Sequence, residues 1–218
     1  TPGVLNDAVC ELTIGVLFAL LRKIPQAHQF VLEKEWSKDA FSFTTSLAGK
    51  TIGIVGMGRI GQDLAARLIP FKVKIAYHGP RDKELPFAFV PSLIDLAKQS
   101  DVLILCCPGG KETEKIVNSE VLNALGPSSY LINVARGSVV NEADLIQALQ
   151  SHQIAGAALD VFENEPNPNP LFLEFSNVLL TPHIGSATQE TRQAMTNLAI
   201  DNLDAFFNHK PLLTPISL

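Results

Sequence analysis

Residues 51–61 read TIGIVGMGRIG. An apolar run, Thr51–Val55, gives way to glycines at 56, 58 and 61, and a helical pattern follows over Ile60–Ile69. Each glycine of this GxGxxG spacing answers a steric demand. Gly56 permits the tight turn out of the strand, Gly58 leaves room for a pyrophosphate, and Gly61 lets the helix press on the strand. The helix beginning near Arg59 and Ile60 offers unpaired N–H groups and a partial positive charge to phosphate. A GxGxxG by itself is common and often only a turn. A strand before it, a helix after it and a second strand beyond supply the context that nucleotide binding requires.

Working outward, strand-like runs recur at Lys72–Tyr77, Val102–Cys106, Tyr130–Val134, Ala155–Leu159 and Val178–Leu180. Helical patterns lie between most of them, at Leu93–Gln99, Ser119–Leu125 and Glu142–Gln150. Strands bare of polar residues, each followed by a helix, predict a parallel sheet covered on both faces. Right-handed crossovers then give an α/β, doubly wound, mostly parallel Rossmann sheet. Upstream, apolar positions fall at helical spacing over Asn6–Lys23, and Pro25 marks the break. A polar and aromatic stretch follows over Gln26–Phe43 and holds the single Trp, Trp36. A long amphipathic helix is expected over Gln189–Phe207.

Composition narrows the function classes. The chain has 218 residues, 46% of them hydrophobic and 18% charged, which suits a globular enzyme. Its net charge of −5 and its lack of a basic block give no reason to expect nucleic acid. The longest apolar run, Leu12–Leu21, is too short to span a bilayer, so no membrane partner is expected. No basic stretch precedes it, which argues against a signal peptide. Cys10, Cys106 and Cys107 have no metal-ligand spacing; they suggest a reducing, cytoplasmic setting with neither disulfide nor metal. The opening Thr1-Pro2-Gly3 lacks Met, so a fragment or processed product is expected.

The second strand ends Tyr77-His78-Gly79-Pro80-Arg81. An NAD site places an acidic residue at this tip to hold the ribose hydroxyls. His78 stands there instead, and Arg81 follows, whose guanidinium suits a 2′-phosphate. NADP is therefore the expected cofactor, ahead of NAD. Arg81 as a solvated loop charge, with Asp82 turning inward, stays open as the alternative.

Three later residues have the chemistry to reduce a 2-oxo acid. Arg136 follows a strand directly, at the end where open α/β sheets bind ligands, and its fork matches a carboxylate. His183 follows Val178–Leu180 and is the natural proton donor near neutral pH. Glu165 is its expected partner, since a nearby carboxylate favours imidazolium and fixes the tautomer. Asp160, at the end of Ala155–Leu159, is expected to accept a bond from the nicotinamide carboxamide; a loop-stabilising role is its alternative. His28, His152 and His209 sit in polar surroundings and are expected to be solvated.

The motifs GMGRIG (56–61), NVARG (133–137), GAALDVFENEP (156–166) and TPHIGSAT (181–188) resemble those of the D-isomer-specific 2-hydroxyacid dehydrogenases. The resemblance spans nearly the whole chain, and its closing NLDAFFNHKPLLTPI is similar to the glyoxylate/hydroxypyruvate reductase branch. It implies that Arg136 binds substrate and that Glu165 and His183 form the acid–base pair. It also implies cofactor contacts from Arg59, Ile60, Cys107, Pro108, Val134, Ala135, Gly185 and Ser186. The product would be a D-2-hydroxy acid. A homodimer is implied too, with the segment near Gln26–Trp36 crossing to the partner. The chain then divides into a lead-in helix and dimerisation arm (1–46), a dinucleotide-binding domain (47–187), and a C-terminal helix and tail (188–218) toward a substrate domain.

Two departures from the family pattern stand out. Gly109-Gly110 replaces a bulkier pair after Cys107-Pro108. The family's N-terminal substrate-domain segment is missing from this sequence, so poor turnover of the chain alone is expected. Two other readings keep the same scaffold. A formate or phosphonate dehydrogenase is disfavoured by the His–Glu pairing, since the formate type usually pairs its His with Gln. A nucleotide-sensing, corepressor-like interaction protein is disfavoured by the reductase-like tail.

Overall fold

The computed structural model describes residues 1–215. Its centre is a wholly parallel sheet of seven strands: β1 (Thr51–Val55), β2 (Lys74–His78), β3 (Ala88–Phe89), β4 (Val102–Leu105), β5 (Tyr130–Asn133), β6 (Gly156–Leu159) and β7 (Val178–Leu180). The strand order is β3-β2-β1-β4-β5-β6-β7. The chain runs outward from β1 to β2 and β3, then returns past β1 to β4. All C-terminal strand ends therefore open on one side, and the order reverses beside β1, where such sheets form a ligand crevice.

The central strands β1, β4, β5 and β6 are buried on both faces because they are apolar at nearly every register position. Leu103, Leu105, Leu131, Ala157 and Leu159 face one core, where α4 (Leu93–Gln99), α5 (Ser119–Leu125) and α6 (Glu142–Gln150) supply Leu96, Leu122 and Leu145. Ile52, Ile54, Ile104, Ile132 and Ala158 face the other, where α1 (Asn6–Leu21) and α3 (Arg59–Leu68) supply Leu17, Leu64 and Leu68. The period of two in each strand assigns each residue to one core.

Several boundaries differ from the sequence reading. β2 starts at Lys74 because Lys72 takes a left-handed turn, φ +62°. β4, β5 and β6 are each one residue shorter than expected, at strand ends where assignments commonly shift. α1 ends at Leu21, and left-handed Lys23 (φ +49°) starts a new helix, α2 (Ile24–Leu32). Pro25 thus sits in the first turn of a helix, where its missing N–H is harmless. The polar and aromatic stretch after it is helical as far as Leu32, and no residue of α2 is buried. Edge strand β3 was also unforeseen, being only two residues long.

The last helix, α7 (Gln189–Phe207), has the expected span. Ile200, Leu203, Phe206 and Phe207 are exposed along it, and only Thr191 and Ala205 are buried. Trp36 and Phe43 on the arm are likewise exposed. The end of the expected C-terminal tail, residues 216–218, lies outside the described residues. Among the described residues, no helix is long and apolar enough to cross a membrane. No group of three or more His, Cys, Asp or Glu is arranged to hold a metal among them.

Candidate active site

The glycine turn is built as its spacing demands. Gly56 has φ +96°, and a Cβ on it would stand 2.5 Å from the Cys107 nitrogen. The turn after β1 therefore rests directly on the turn after β4. A Cβ on Gly61 would stand 2.3 Å from the Gly56 carbonyl oxygen, so α3 also packs at backbone distance. Gly58 has open space where a side chain would go. It caps α3 with no side-chain bond, whereas Ser92, Asn118, Asn141 and Thr188 cap α4, α5, α6 and α7 through their side chains. The leading amides of α3 thus lack the satisfying group that α4 to α7 carry, and phosphate is the ligand that such amides favour.

Two clefts meet at this turn and share Cys107 and Pro108. One, about 330 Å³, is lined by Gly58, Arg59, Ile60, Cys106–Pro108 and Val134–Arg136, with Pro2, Gly3, Leu5 and Asn6 from the chain's start. The other, about 740 Å³, runs from Gly56 past His78–Pro80 to Pro91–Ile94 and the first turn of α5. An open glycine cradle between two linked clefts fits a dinucleotide. Burial pushes the Cys107 thiol up to about 11, so it lines both clefts as a neutral, unreactive wall.

At the β2 tip, His78 Nδ1 is 3.0 Å from the Val90 carbonyl oxygen. Because a carbonyl only accepts, Nδ1 carries the proton and Nε2 is left for a ligand. Asp82 does not take the ribose position. Its carboxylate accepts from the hydroxyl of buried Tyr77 and from the Glu84 N–H. Arg81 is exposed and lies outside the lining of both clefts.

The three expected catalytic residues come from three loops at the strand ends. Arg136 follows β5, and its loop is held by Asn133, which donates to the Arg136 carbonyl and accepts the Ala135 N–H, both at 3.0 Å. Glu165 Oε2 lies 2.6 Å from His183 Nδ1, and Glu165 Oε1 accepts the Phe162 N–H at 3.0 Å. Desolvation works to raise the Glu165 carboxyl. The bonds from His183 and Phe162, with the charges of His183 and Arg136, outweigh it and hold the carboxyl below the usual carboxylate range. Nδ1 of His183 is thereby committed, and Nε2 is free to exchange a proton.

His183 is itself in the left-handed region, φ +52°, which disfavours a non-glycine residue by about 1–2 kcal/mol. Buried Asp160 holds both sides of it. Asp160 accepts from the Thr181 hydroxyl at 2.6 Å and from the Ile184 and Gly185 N–H groups, each at 2.9 Å. These contacts match the loop-stabilising alternative for Asp160. Gly185 is buried against it, and Ser186 follows half-buried; neither lines the two clefts.

A family model for the D-isomer specific 2-hydroxyacid dehydrogenase NAD-binding domain matches residues 14–185. The chain belongs to this family. It is the NAD(P)-binding part of a 2-hydroxyacid dehydrogenase, an oxidoreductase. It is 44% identical to glyoxylate/hydroxypyruvate reductase A of Arabidopsis thaliana, over 99% of this chain and 69% of that protein. It is 43% identical to 2-ketogluconate reductase of Gluconobacter oxydans, over 99% of this chain and 70% of that protein. The NADPH-dependent glyoxylate/hydroxypyruvate reductase of Sinorhizobium meliloti, in complex with NADP and malonate, superposes with a TM-score of 0.95 at 48% identity. That match covers all of this chain and 69% of the other.

Some residues of this dehydrogenase site carried no motif signal. Pro2, Gly3, Leu5 and Asn6 reach the cofactor cleft only because α1 packs beside α3. Asn133 opens the NVARG motif, but its hold on the Arg136 loop is visible only in the fold. Gly109 was noted only as a departure. A Cβ there would stand 2.9 Å from Arg136 Cγ, so the glycine gives the arginine stem its resting place.

Proposed function

We propose that this dehydrogenase reduces a small 2-oxo acid of the glyoxylate or hydroxypyruvate type to the D-2-hydroxy acid, with NADPH preferred over NADH. The observation that carries the reading is the Glu165–His183 pair, 2.6 Å apart, with Arg136 close enough for its charge to act on Glu165. Reduced nicotinamide, when bound, supplies a hydride to the carbonyl carbon. Arg136 binds the substrate carboxylate and polarises the adjacent carbonyl through its second row of donors. As negative charge grows on the carbonyl oxygen, His183 Nε2–H delivers the proton to it. Glu165 holds Nδ1–H and stabilises the imidazolium before that transfer. Gly56, Gly58, Arg59, Ile60 and Gly61 would hold the pyrophosphate with the amides of α3. Cys107, Pro108, Val134 and Ala135 would wall the nicotinamide half, and the family resemblance adds Gly185 and Ser186, which lie outside the two clefts.

The preference for NADPH is supported by the folding of Asp82 onto Tyr77, which leaves no carboxylate at the β2 tip to repel a 2′-phosphate. His78 Nε2 and Arg81 are the groups that would meet that phosphate. The exposed apolar residues of the arm within residues 1–46, Trp36 among them, support a homodimer. The exposed apolar side of α7, in residues 188–218, supports a contact with a substrate domain, leaving 47–187 as the nucleotide domain. A cytoplasmic location suits three unpaired thiols. The test is consumption of NADPH with glyoxylate or hydroxypyruvate by the purified protein. His183→Ala is expected to lose turnover while keeping cofactor affinity; turnover at the parent rate would refute the assignment.

A further inference from the structure

Glu142 opens α6, just beyond the Arg136 loop, and only 7% of it is exposed. A carboxylate this buried costs solvation energy unless its oxygens are used. Glu142 Oε1 accepts the Glu163 N–H at 2.7 Å, across 21 residues of sequence. Glu163 Oε1 reaches back toward the Glu142 N–H at 3.4 Å, and Lys115 Nζ stands 3.3 Å from that same oxygen. The first turn of α6 is thus tied to segment 162–165 by reciprocal bonds, with one lysine as counter-charge. Burial pushes the Glu142 carboxyl up; the Glu163 N–H opposes this, the Glu163 charge adds to it, and Lys115 opposes it.

What the tie holds is the support of the proton-donor pair. The peptide that gives its N–H to Glu142 joins Glu163 to Phe162, and the Phe162 N–H is the bond that orients Glu165. The same peptide also lies against Gly137, where a Cβ would come within 1.9 Å of the Phe162 carbonyl. The Phe162–Glu163 peptide is therefore held by both Gly137 and Glu142, which follow Arg136 in the chain. We infer that Glu142 is a positioning residue for the reduction: it fixes the Glu165 carboxylate, and with it His183, relative to Arg136. The inference rests on the roles proposed above for those three residues. Glu142 itself lines neither of the two clefts.

The test compares Glu142→Ala and Glu142→Gln in the purified protein. NADPH-dependent turnover, NADPH affinity and amide exchange of segment 161–166 are measured. A misplacement near 1 Å costs roughly 100-fold, so Glu142→Ala is expected to lower kcat by about 10- to 100-fold. NADPH affinity should hold, and the Phe162 and Glu163 amides should exchange faster. Glu142→Gln keeps an oxygen that accepts the Glu163 N–H and should recover most of the lost kcat. Should Glu142→Ala not fold, Glu142→Asp, one methylene shorter, takes its place with the same expected loss. Parent kcat in the shortened variant, or equal loss in the shortened variant and Glu142→Gln, overturns the inference. A His183→Ala control separates the two levels. If it is inactive while the shortened Glu142 variant is unimpaired, only the role of Glu142 fails. If His183→Ala turns over normally, the reading of the pair fails.

Discussion

Gly137→Ala would insert one methyl group into the seam between the Arg136 loop and the loop that carries Glu165. Its Cβ would stand 1.9 Å from the Phe162 carbonyl carbon and oxygen and 2.4 Å from the Glu163 nitrogen. These are backbone atoms, so no rotamer relieves the clash. Gly137 has no positive φ, so alanine carries no conformational penalty and the effect is purely steric. Carbon atoms settle about 3.5 Å apart, so the two segments must separate by about 1.5 Å. Overpacking of this kind costs about 1–3 kcal/mol, which lowers Tm by roughly 2–12 °C for a domain of this size. The kinetic effect should be larger. A displacement of 1 Å in an active site costs roughly 100-fold, so kcat should fall at least that far. The glycine cradle at Gly56–Gly61 is not part of the seam, so NADPH affinity should stay near the parent value. Stopped-flow NADPH oxidation, a cofactor titration and a thermal melt together read all three quantities. Parent kcat/KM with an unchanged melt would refute the idea that Gly137 sets the spacing between the substrate anchor and the proton donor.

Other substitutions probe the remaining parts. Gly58→Val projects a side chain into the open space above the α3 amides; NADPH binding, read by fluorescence titration, should be lost while Tm holds. Gly109→Ala pushes on Arg136 Cγ and Cβ, now 2.9 and 3.3 Å from the site of the new methyl; KM for the 2-oxo acid should rise with cofactor affinity unchanged. Glu165 has a lowered carboxyl, so its support of His183 is fully present above the ordinary carboxylate range and is lost only as pH falls through the lowered folded value. Glu165→Gln removes the charge but not the shape. Turnover should drop across the neutral range and fall off at lower pH than in the parent; an unchanged pH–rate profile would count against the pairing.

Much of the fold was legible because its signals are local. The runs expected at 51–55, 102–106 and 130–134 are almost wholly apolar and each is followed by a helical pattern, which marks strands buried on both faces. The helices expected from Leu93, Ser119, Glu142 and Gln189 begin where the structure places the capping side chains of Ser92, Asn118, Asn141 and Thr188. α2 escaped because Pro25 reads equally as a stop or as a first-turn residue, and no buried face reinforced the pattern. β3 escaped because two residues carry no period. Arg136 and His183 stand out as candidates because each follows an apolar strand closely, where an open sheet exposes its ligand groups, and Glu165 as the carboxylate expected to partner His183.

The alternation of strands and helices, the glycine cradle and the candidates for the proton-donor pair follow from the sequence itself, since periodicity and residue chemistry are properties of short stretches; the strand order does not. Only the tertiary structure decided where Asp82 turns, what Asp160 holds and why Gly137 and Glu142 matter. Those are contacts between loops some 20 or more residues apart, or choices among lone pairs and rotamers. Packing selects among such options, and no local propensity encodes them.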